Sequence, residues 1–322
     1  MTGQGFGIIV VADPQATWLQ PPAPAGQDRW TAPPAGSGAP PLTAAAALAP
    51  TTVYRLSPSG TLGVSDDSGK TFPTTYRVAL PSGVACCSPA DAVGMGSVVA
   101  STLAVSPVNA QRLYVGIEIQ GLTQGDLGLW TSADGGRTWR RSGLPSDLGV
   151  TGLAIAPGTG QTLYVVAYPG LDSGASGLWR SVDGGKTWSR VAGVTGPVFS
   201  VGTPTSTEVV AGGAGRVWLS NDGGTTFQPL PLDIPFWAAA SGSSTGLPVD
   251  AVLQVPGGPL FAATSLGVAQ SDDGGRTWQV VSEPVGDPPV QPGGLHLLTD
   301  GSVAVATQFG TFTYRDPGRA AP

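Results

Sequence analysis

Residues that commonly perform acid–base, nucleophilic or metal chemistry are rare in this sequence. Its 322 residues include one histidine, His296, two adjacent cysteines, Cys86 and Cys87, and three glutamates. One histidine and two neighbouring cysteines cannot complete a standard zinc site, and single aspartate turns offer too few oxygens for Ca²⁺. We therefore predict no metal and no cofactor. Whether the cysteines are free thiols or form a strained vicinal disulfide stays open.

Two short motif matches also fail as catalytic or nucleotide-binding sites. GKT occurs at 69–71 and 185–187, but a P-loop requires an earlier glycine where Val64 and Arg180 stand. GSSTG at 242–246 matches a nucleophile elbow, which needs a strand before it and a helix after it. This stretch is instead typical of a Ser/Gly loop. We predict no catalytic residue, and a protein that is not an enzyme is favoured.

Polar and aromatic residues on four long loops are better candidates for ligand contacts. The loops cover 79–96, 117–128, 168–177 and 232–246. The candidate ligand-binding residues on them are Glu118, Asp126, Tyr168, Asp172, Phe236 and Trp237. Aromatic rings beside polar groups suit sugars or peptides, and the acidic balance of this set favours neutral sugars or basic peptides over anionic ligands. The alternative for Phe236 and Trp237 is that they cap a junction between structural repeats.

An eight-residue pattern, S-x-D-x-G-x-T-[WF], recurs five times and indicates the elements that must position these loops. The copies are SDDSGKTF at 65–72, SADGGRTW at 132–139, SVDGGKTW at 181–188, SNDGGTTF at 220–227 and SDDGGRTW at 271–278. Ser and Asp side chains close tight turns by bonding to nearby backbone, and the terminal aromatic residue buries a large apolar area. The predicted structural positions are Ser65, Asp67, Gly69, Thr71, Phe72, Ser132, Asp134, Gly136, Thr138, Trp139, Ser181, Asp183, Gly185, Thr187, Trp188, Ser220, Asp222, Gly224, Thr226, Phe227, Ser271, Asp273, Gly275, Thr277 and Trp278.

Short apolar strands flank every copy, as GLWTS and GLWRS do before the second and third. Strand, Gly-rich turn and strand form a β-hairpin, and two further strands lie upstream in each unit. Four antiparallel strands per unit predict an all-β fold, a β-propeller of six blades, with seven as the alternative. The predicted blades cover 43–80, 99–145, 150–192, 196–231, 248–283 and 293–316, the last completed by an outer strand from the N-terminus.

Faint copies of the pattern at 12–18 and 314–319 suggest that both termini close the ring, which removes open sheet edges. The whole chain, 1–322, is then a single propeller domain, and the Pro/Ala/Gly-rich stretch 19–42 is interpreted as a connecting loop.

The repeated pattern resembles the Asp box, or bacterial neuraminidase repeat, of the sialidase-like superfamily. The resemblance implies a propeller fold, and relatives include sialidases, xyloglucanases, sortilin-type receptor domains and photosystem assembly factors. Sialidases use three arginines, a Tyr–Glu pair and an acid–base Asp. Here the nearest match to their early motif, residues 54–56, lacks the proline, and Arg137, Arg276 and Arg319 belong to the repeats. Xyloglucanases resemble two propellers in tandem, about twice this length, and hydrolysis needs two suitably placed carboxylates.

Composition narrows the function further. The net charge is −6, and charged residues make up 11% of the chain. A surface with this charge does not attract nucleic acids or anionic membranes, which are therefore disfavoured as partners. No apolar run is long enough to span a membrane, and no signal peptide is recognisable, although we expect an extracytoplasmic or secreted location. The sequence thus predicts a non-catalytic propeller that binds a carbohydrate, peptide or protein through the loops opposite the Asp boxes. The alternatives are a glycoside hydrolase or lyase that uses Asp residues there, and a purely structural module of a larger protein.

Overall fold

The computed structural model describes residues 30–31, 52–57, 59–67, 71–78, 97–120, 127–169, 176–234, 246–265, 267–281, 294–297, 302–307 and 310–314. All regular structure in these residues is β-strand, arranged as six antiparallel sheets. The prediction of an all-β fold of small antiparallel sheets is confirmed.

We number the sheets 1 to 6 by their position along the chain. Sheet 1 contains β2 (Val53–Leu56), β3 (Thr61–Ser65) and β4 (Thr74–Arg77). Sheet 2 contains β5 (Ser97–Ser106), β6 (Asn109–Gln120), β7 (Gly128–Ser132) and β8 (Arg140–Arg141). Sheet 3 contains β9 (Leu148–Ile155), β10 (Leu163–Pro169), β11 (Gly177–Ser181) and β12 (Ser189–Arg190).

The second half of the chain repeats this arrangement. Sheet 4 contains β13 (Val198–Gly202), β14 (Val209–Gly213), β15 (Arg216–Ser220) and β16 (Gln228–Pro231). Sheet 5 contains β17 (Ala251–Gln254), β18 (Leu260–Thr264), β19 (Gly267–Ser271) and β20 (Gln279–Val280). Sheet 6 contains β21 (Leu295–Leu297), β22 (Val303–Thr307), β23 (Gly310–Tyr314) and β1 (Trp30–Thr31).

The first strands of consecutive sheets contact one another, from β5 through β9, β13 and β17 to β21. This is the arrangement of propeller blades around a common axis, with the first strand of each blade innermost. Six sheets are seen in the described residues, and the blade number of the complete ring stays a prediction.

Both ends of the chain contribute to sheet 6, as predicted. β1 pairs antiparallel with β23 through Trp30 opposite Tyr314 and Thr31 opposite Thr313. β1 lies within 19–42, so the stretch interpreted as a connecting loop supplies a strand. The faint repeat at 12–18 lies outside the described residues, as does the faint repeat at 314–319 except for Tyr314, the last residue of β23.

The core consists of apolar layers between neighbouring sheets. Leu62 of sheet 1 packs in one cluster with Ile117 of sheet 2, and Val150 of sheet 3 packs in another with Leu129 of sheet 2. Strands whose two faces are both covered carry apolar residues without alternation, as in β18, where all five residues are buried. The described part of the chain contains no helix with the length and apolar character needed to cross a membrane.

Candidate functional site

Each Asp box is a turn closed mainly by hydrogen bonds among its own residues. In the second box, the Ser132 hydroxyl donates to Asp134 Oδ1 at 2.8 Å, and the Thr138 hydroxyl donates to Asp134 Oδ2 at 2.6 Å. The backbone N–H of Thr138 also donates to Asp134 Oδ1 at 2.9 Å, and the N–H of Gly136 donates to Ser132 Oγ at 2.9 Å. These partners are within a few residues of one another, so most of the bonds that close the turn are local. One further bond, from the N–H of Gly135 to the Gln111 carbonyl at 2.9 Å, ties the turn to the preceding strand.

The same bonds control the acidity of the box aspartates. Hydrogen bonds from Thr138, followed by that from Ser132, lower the pKa of Asp134 to about 2. The pKa of Asp67 and that of Asp273 are also lowered to about 2, and the pKa values of Asp183 and Asp222 are lowered by equivalent bonds. A carboxylate that already accepts this many bonds has little capacity left for a ligand.

In two of the boxes the terminal tryptophan donates a hydrogen bond to a carbonyl of its own turn. Trp139 Nε1 donates to the Gly136 carbonyl at 2.9 Å, and Trp188 Nε1 donates to the Gly185 carbonyl at 3.1 Å. Both rings are partly buried and pack on the apolar layers. Trp278 departs from this pattern, since its buried Nε1 has no hydrogen-bond partner in the described residues.

The strand registers place all boxes at one end of the sheets. In sheet 2, Leu113 lies opposite Ser132 of the box, whereas Ile117, further along β6, lies opposite Gly128 at the other end of β7. Sheets 3 and 5 share this register. We call the surface at the box end the box face and the surface at the opposite strand ends the loop face.

Two predicted ligand-binding residues, Glu118 and Tyr168, meet on the loop face. The Tyr168 hydroxyl of sheet 3 donates a hydrogen bond to the Glu118 carboxylate of sheet 2. Both residues belong to strands, Glu118 to β6 and Tyr168 to β10, rather than to the long loops assigned to them. Their contact joins two neighbouring sheets.

A glycine makes room for this contact. Gly149 lies opposite Tyr168 in the ladder between β9 and β10. A Cβ atom on Gly149 would lie 2.6 Å from Tyr168 Cζ and 2.9 Å from its Oη, so any side chain there would displace the ring. Tyr168 is only 5% exposed, and its hydroxyl is thus held in a fixed position beside the partly exposed Glu118.

The environment of Glu118 disfavours its charged form. Burial raises the pKa of Glu118 to about 7, and the hydrogen bond from Tyr168 only partly opposes that change. No arginine, lysine or histidine among the described residues compensates the charge. Glu118 can therefore exchange a proton near neutral pH.

Asp250 is a second carboxyl of this kind, which the sequence analysis missed. It directly precedes β17, at the loop-face end of the first strand of sheet 5. Burial raises its pKa to about 7, and no described side chain donates a hydrogen bond to it. The available signal was a single charged residue interrupting the apolar run from Val249 to Val252.

Hydroxyls near the axis are already used for structure. Ser101 of β5 donates to the Val150 carbonyl of β9, and Ser200 of β13 donates to the Val249 carbonyl next to β17 at 2.8 Å. Each bond connects the first strands of two sheets. Because both hydroxyls are buried and bonded to backbone, neither is poised as a nucleophile.

The remaining predicted contact residues, Asp126, Asp172, Phe236 and Trp237, lie outside the described residues, as do Cys86, Cys87 and box residue Gly69. His296 belongs to β21. Within the described ranges, no group of three or more His, Cys, Asp or Glu side chains is arranged to hold a metal ion.

Sequence comparison identifies the repeat. A family model described as BNR/Asp-box repeat matches residues 179–190, which include the third box. Comparison with curated protein sequences gave no match.

Comparison of structures identifies the fold. The GH74 xyloglucanase from Xanthomonas campestris aligns with a TM-score of 0.54 and 17% identity over 82% of this chain and 42% of that chain. An ancestral GH74 enzyme aligns with a TM-score of 0.56 and 18% identity over 84% of this chain and 36% of that chain. The extracellular domain of BT4673 from B. thetaiotaomicron aligns with a TM-score of 0.50 and 16% identity over 90% of this chain and 34% of that chain.

This protein spans less than half the length of those solved chains. At such low identity the similarity concerns the fold alone. Together with the repeat, it defines the chain as an Asp-box β-propeller.

Proposed function

We propose that this propeller is a non-catalytic binding protein that holds a glycan, peptide or protein partner on its loop face. The observation that carries the proposal is the contrast in carboxyl environment between the two faces. Box aspartates are stabilised as anions by local hydrogen bonds, whereas Glu118 and Asp250 are partly buried without a compensating cation among the described residues. Groups that cost stability in this way are typical of functional sites.

The loss of folding stability follows from the thermodynamic linkage between proton binding and folding. A carboxyl whose pKa is raised in the folded state binds more protons when folded than when unfolded, between its ordinary pKa and the raised one. Stability therefore falls as pH rises from about 4.5 to about 7 for Glu118. A ligand that offers hydrogen-bond donors or a positive charge to the ionised carboxylate reduces this cost on binding.

The chemistry of the loop face also restricts the ligand class. Two carboxyls near one surface repel anionic ligands, and they accept hydrogen bonds from sugar hydroxyls or from the basic groups of a peptide. Neutral glycans and basic peptides are therefore the ligands we expect. The aromatic residues Phe236 and Trp237 stay proposed contacts.

The test is a glycan and peptide array probed with the wild type and with Glu118→Gln, Asp250→Asn and Tyr168→Phe. The matched control is Asp272→Asn, which removes an exposed carboxylate from the box face. Ligands captured by the wild type and by the control, but weakly by the three variants, would support the proposal. Equal capture by all five folded proteins would show that these loop-face residues do not contribute to ligand binding.

A second candidate, a glycoside hydrolase or lyase, is favoured by one observation. Glu118 and Asp250 each have a pKa of about 7, in the range suited to a general acid at neutral pH. The same variants distinguish the two functions in an assay for sugar release from neutral polysaccharides. Release by the wild type that is lost in Glu118→Gln or Asp250→Asn would establish hydrolysis or elimination in place of simple binding.

We also propose that the protein acts outside the cytoplasm. The support is its low content of charged residues and its structural similarity to an extracellular domain. Fractionation of cells that produce the full natural protein tests this location directly, and recovery in the cytoplasm alone would contradict it.

A further inference from the structure

The junctions between neighbouring sheets differ at one repeated position. This position lies in the strand that precedes the box strand, opposite the residue that directly precedes the serine of the box. In sheet 6 Tyr314 stands where the other sheets have that serine. Tyrosine occupies it in the first three sheets, where Tyr54 lies opposite Val64, Tyr114 opposite Thr131 and Tyr164 opposite Arg180. The registers of the later sheets place Val210, Phe261 and Ala304 at the same position.

Each of the three tyrosines reaches across to the following sheet. Tyr54 donates its hydroxyl to the Ala110 carbonyl of sheet 2 at 3.2 Å. Tyr164 donates to the Gly223 carbonyl in the box of sheet 4 at 2.7 Å. Tyr114 approaches the Gly184 carbonyl in the box of sheet 3 at 3.5 Å, the longest of the three contacts. All three rings are at most 2% exposed.

Burial keeps these hydroxyls in the donor state. Removal from water raises the pKa of Tyr54, Tyr114 and Tyr164 above the ordinary tyrosine value, so all three stay protonated at neutral pH. A buried hydroxyl has already lost its hydrogen bonds to water. If it also loses its protein partner, it is left without any hydrogen bond, so these bonds are costly to break.

The receiving turn is shaped to admit the tyrosine ring. Gly224 has a positive φ of 74°, and a Cβ atom there would lie 2.8 Å from Tyr164 Cε1. The box glycine therefore serves two purposes in sheet 4, since it allows the turn and allows close approach of the ring.

We propose that the three tyrosine bonds join sheets 1 to 4 into one cooperative unit, and that the ring opens first through sheets 5 and 6. Val210, Phe261 and Ala304 carry no hydroxyl, so these side chains cannot donate the equivalent bond to the next box. Sheets 4 and 5 are joined by other bonds, such as that from Ser200 to the Val249 carbonyl, but not by a tyrosine. In repeat proteins the stability of a unit depends on its interfaces with its neighbours, and units with weaker interfaces open at lower free energy.

The arrangement has a consequence for the loop face. Glu118 and Tyr168 belong to sheets 2 and 3, inside the cooperative unit, and their own hydrogen bond is a further link between these sheets. Asp250 belongs to the part that opens first. The Glu118–Tyr168 pair is thus kept in a fixed geometry when sheet 5 fluctuates.

Hydrogen exchange of the intact protein, followed by mass spectrometry, tests the proposal. We expect amides of β10 and β14 to share one slow exchange regime and amides of β18 and β22 to exchange faster. Tyr164→Phe removes the tyrosine bond that holds sheet 4 to sheet 3 and should speed exchange in sheet 4 about five-fold, the value for loss of one net hydrogen bond. Sheets 1 to 3 stay joined through Tyr54 and Tyr114, so sheet 2 should keep its slow exchange. Tyr114→Phe should have a smaller effect because its bond is longer.

Tyr76→Phe is the matched control. Tyr76 lies on the outer strand β4, below the Arg137 guanidinium at 5.6 Å, and is outside the tyrosine series. We expect its exchange pattern to equal that of the wild type. Equal protection of β10, β14, β18 and β22 in the wild type would overturn the proposal, and so would a Tyr164→Phe effect that is zero or the same in every sheet. The wild-type measurement decides the matter even if a variant does not fold.

Discussion

The two faces of this propeller hold the same kind of acidic group in opposite environments. On the box face, Asp134 accepts bonds from two side chains and from backbone N–H groups, and its pKa is lowered to about 2. On the loop face, Asp250 is partly buried with no such donor among the described side chains, and its pKa is raised to about 7. The residue type is the same, and only the number of donors and the degree of burial differ.

This difference separates structure from function within one fold. A repeated turn gains stability from its aspartate, so every unit with the box benefits from keeping it. A partly buried carboxyl without donors gives no such benefit and differs from sheet to sheet. Where one unit of a repeat protein carries a group that lowers stability, we infer that the group is kept because it serves the function of the site.

Truncation of the box aromatic residues should cause the largest loss of folding stability, and it tests the box face. Trp139→Ala and Trp188→Ala each remove a ring that packs between sheets and bonds to a box carbonyl. We expect each to lower the free energy of unfolding by about 3–5 kcal/mol, as for other large truncations in a core. Chemical denaturation measures this. Val182→Ala, at an exposed box position, is the control and should change little. Unchanged unfolding of both Trp variants would contradict a structural role for the box.

Replacement of Gly224, which the Tyr164 ring approaches closely, should cause the next largest loss of folding stability. Gly224→Ala forces a Cβ into Tyr164 and also adopts a positive φ, whereas Gly257→Ala shares the positive φ but meets no atom within 4 Å. We expect Gly224→Ala to be destabilised by about 1–3 kcal/mol beyond Gly257→Ala, because overpacking of a core costs this much. Thermal unfolding of the two variants gives the difference. Equal stability would mean that the tyrosine does not need the glycine.

The loop-face carboxyl should show a smaller effect of opposite sign. Glu118→Gln keeps an acceptor for Tyr168 and removes the charge that burial disfavours. We expect it to be more stable than the wild type by about 1–2 kcal/mol at pH 8, a value reduced for residual solvent screening. At pH 4 the two proteins should be nearly equal, because the wild-type carboxyl is protonated when folded and largely so when unfolded.

The matched variant on the box face is Asp134→Asn. Its wild-type carboxyl has a lowered pKa, so the stability it contributes is present above about pH 4 and is lost as pH falls towards 2. We therefore expect Asp134→Asn to be less stable than the wild type at pH 8. Denaturation curves at pH 8 and pH 4 measure the stability of Glu118→Gln and Asp134→Asn relative to the wild type. If both variants are stabilised, or both destabilised, at pH 8, the proposed contrast between the two faces is wrong.

The candidate site was only partly accessible to prediction. Glu118 and Tyr168 were predicted as contacts because they were assigned to the long loops 117–128 and 168–177. The structure places both in strands and brings them into contact. Asp250 was overlooked because it reads as the first residue of an apolar strand, and its cost becomes visible only when the surrounding burial is known. The role of the three tyrosines was likewise missed, since their hydroxyls act across junctions between sheets. Tyr54 was considered only as part of an incomplete sialidase motif, and Tyr114 and Tyr164 were not singled out.

The sequence by itself determined the Asp-box turns and the four-stranded unit, because every box is closed by residues a few positions apart and its flanking strands pair locally. Local bonds of this kind are written directly in residue types and spacing. Only the tertiary structure decided that Glu118 meets Tyr168 over Gly149, and that Tyr164 reaches the box of the next sheet. These contacts join residues far apart in the chain, and they depend on how two sheets pack, which no short motif specifies.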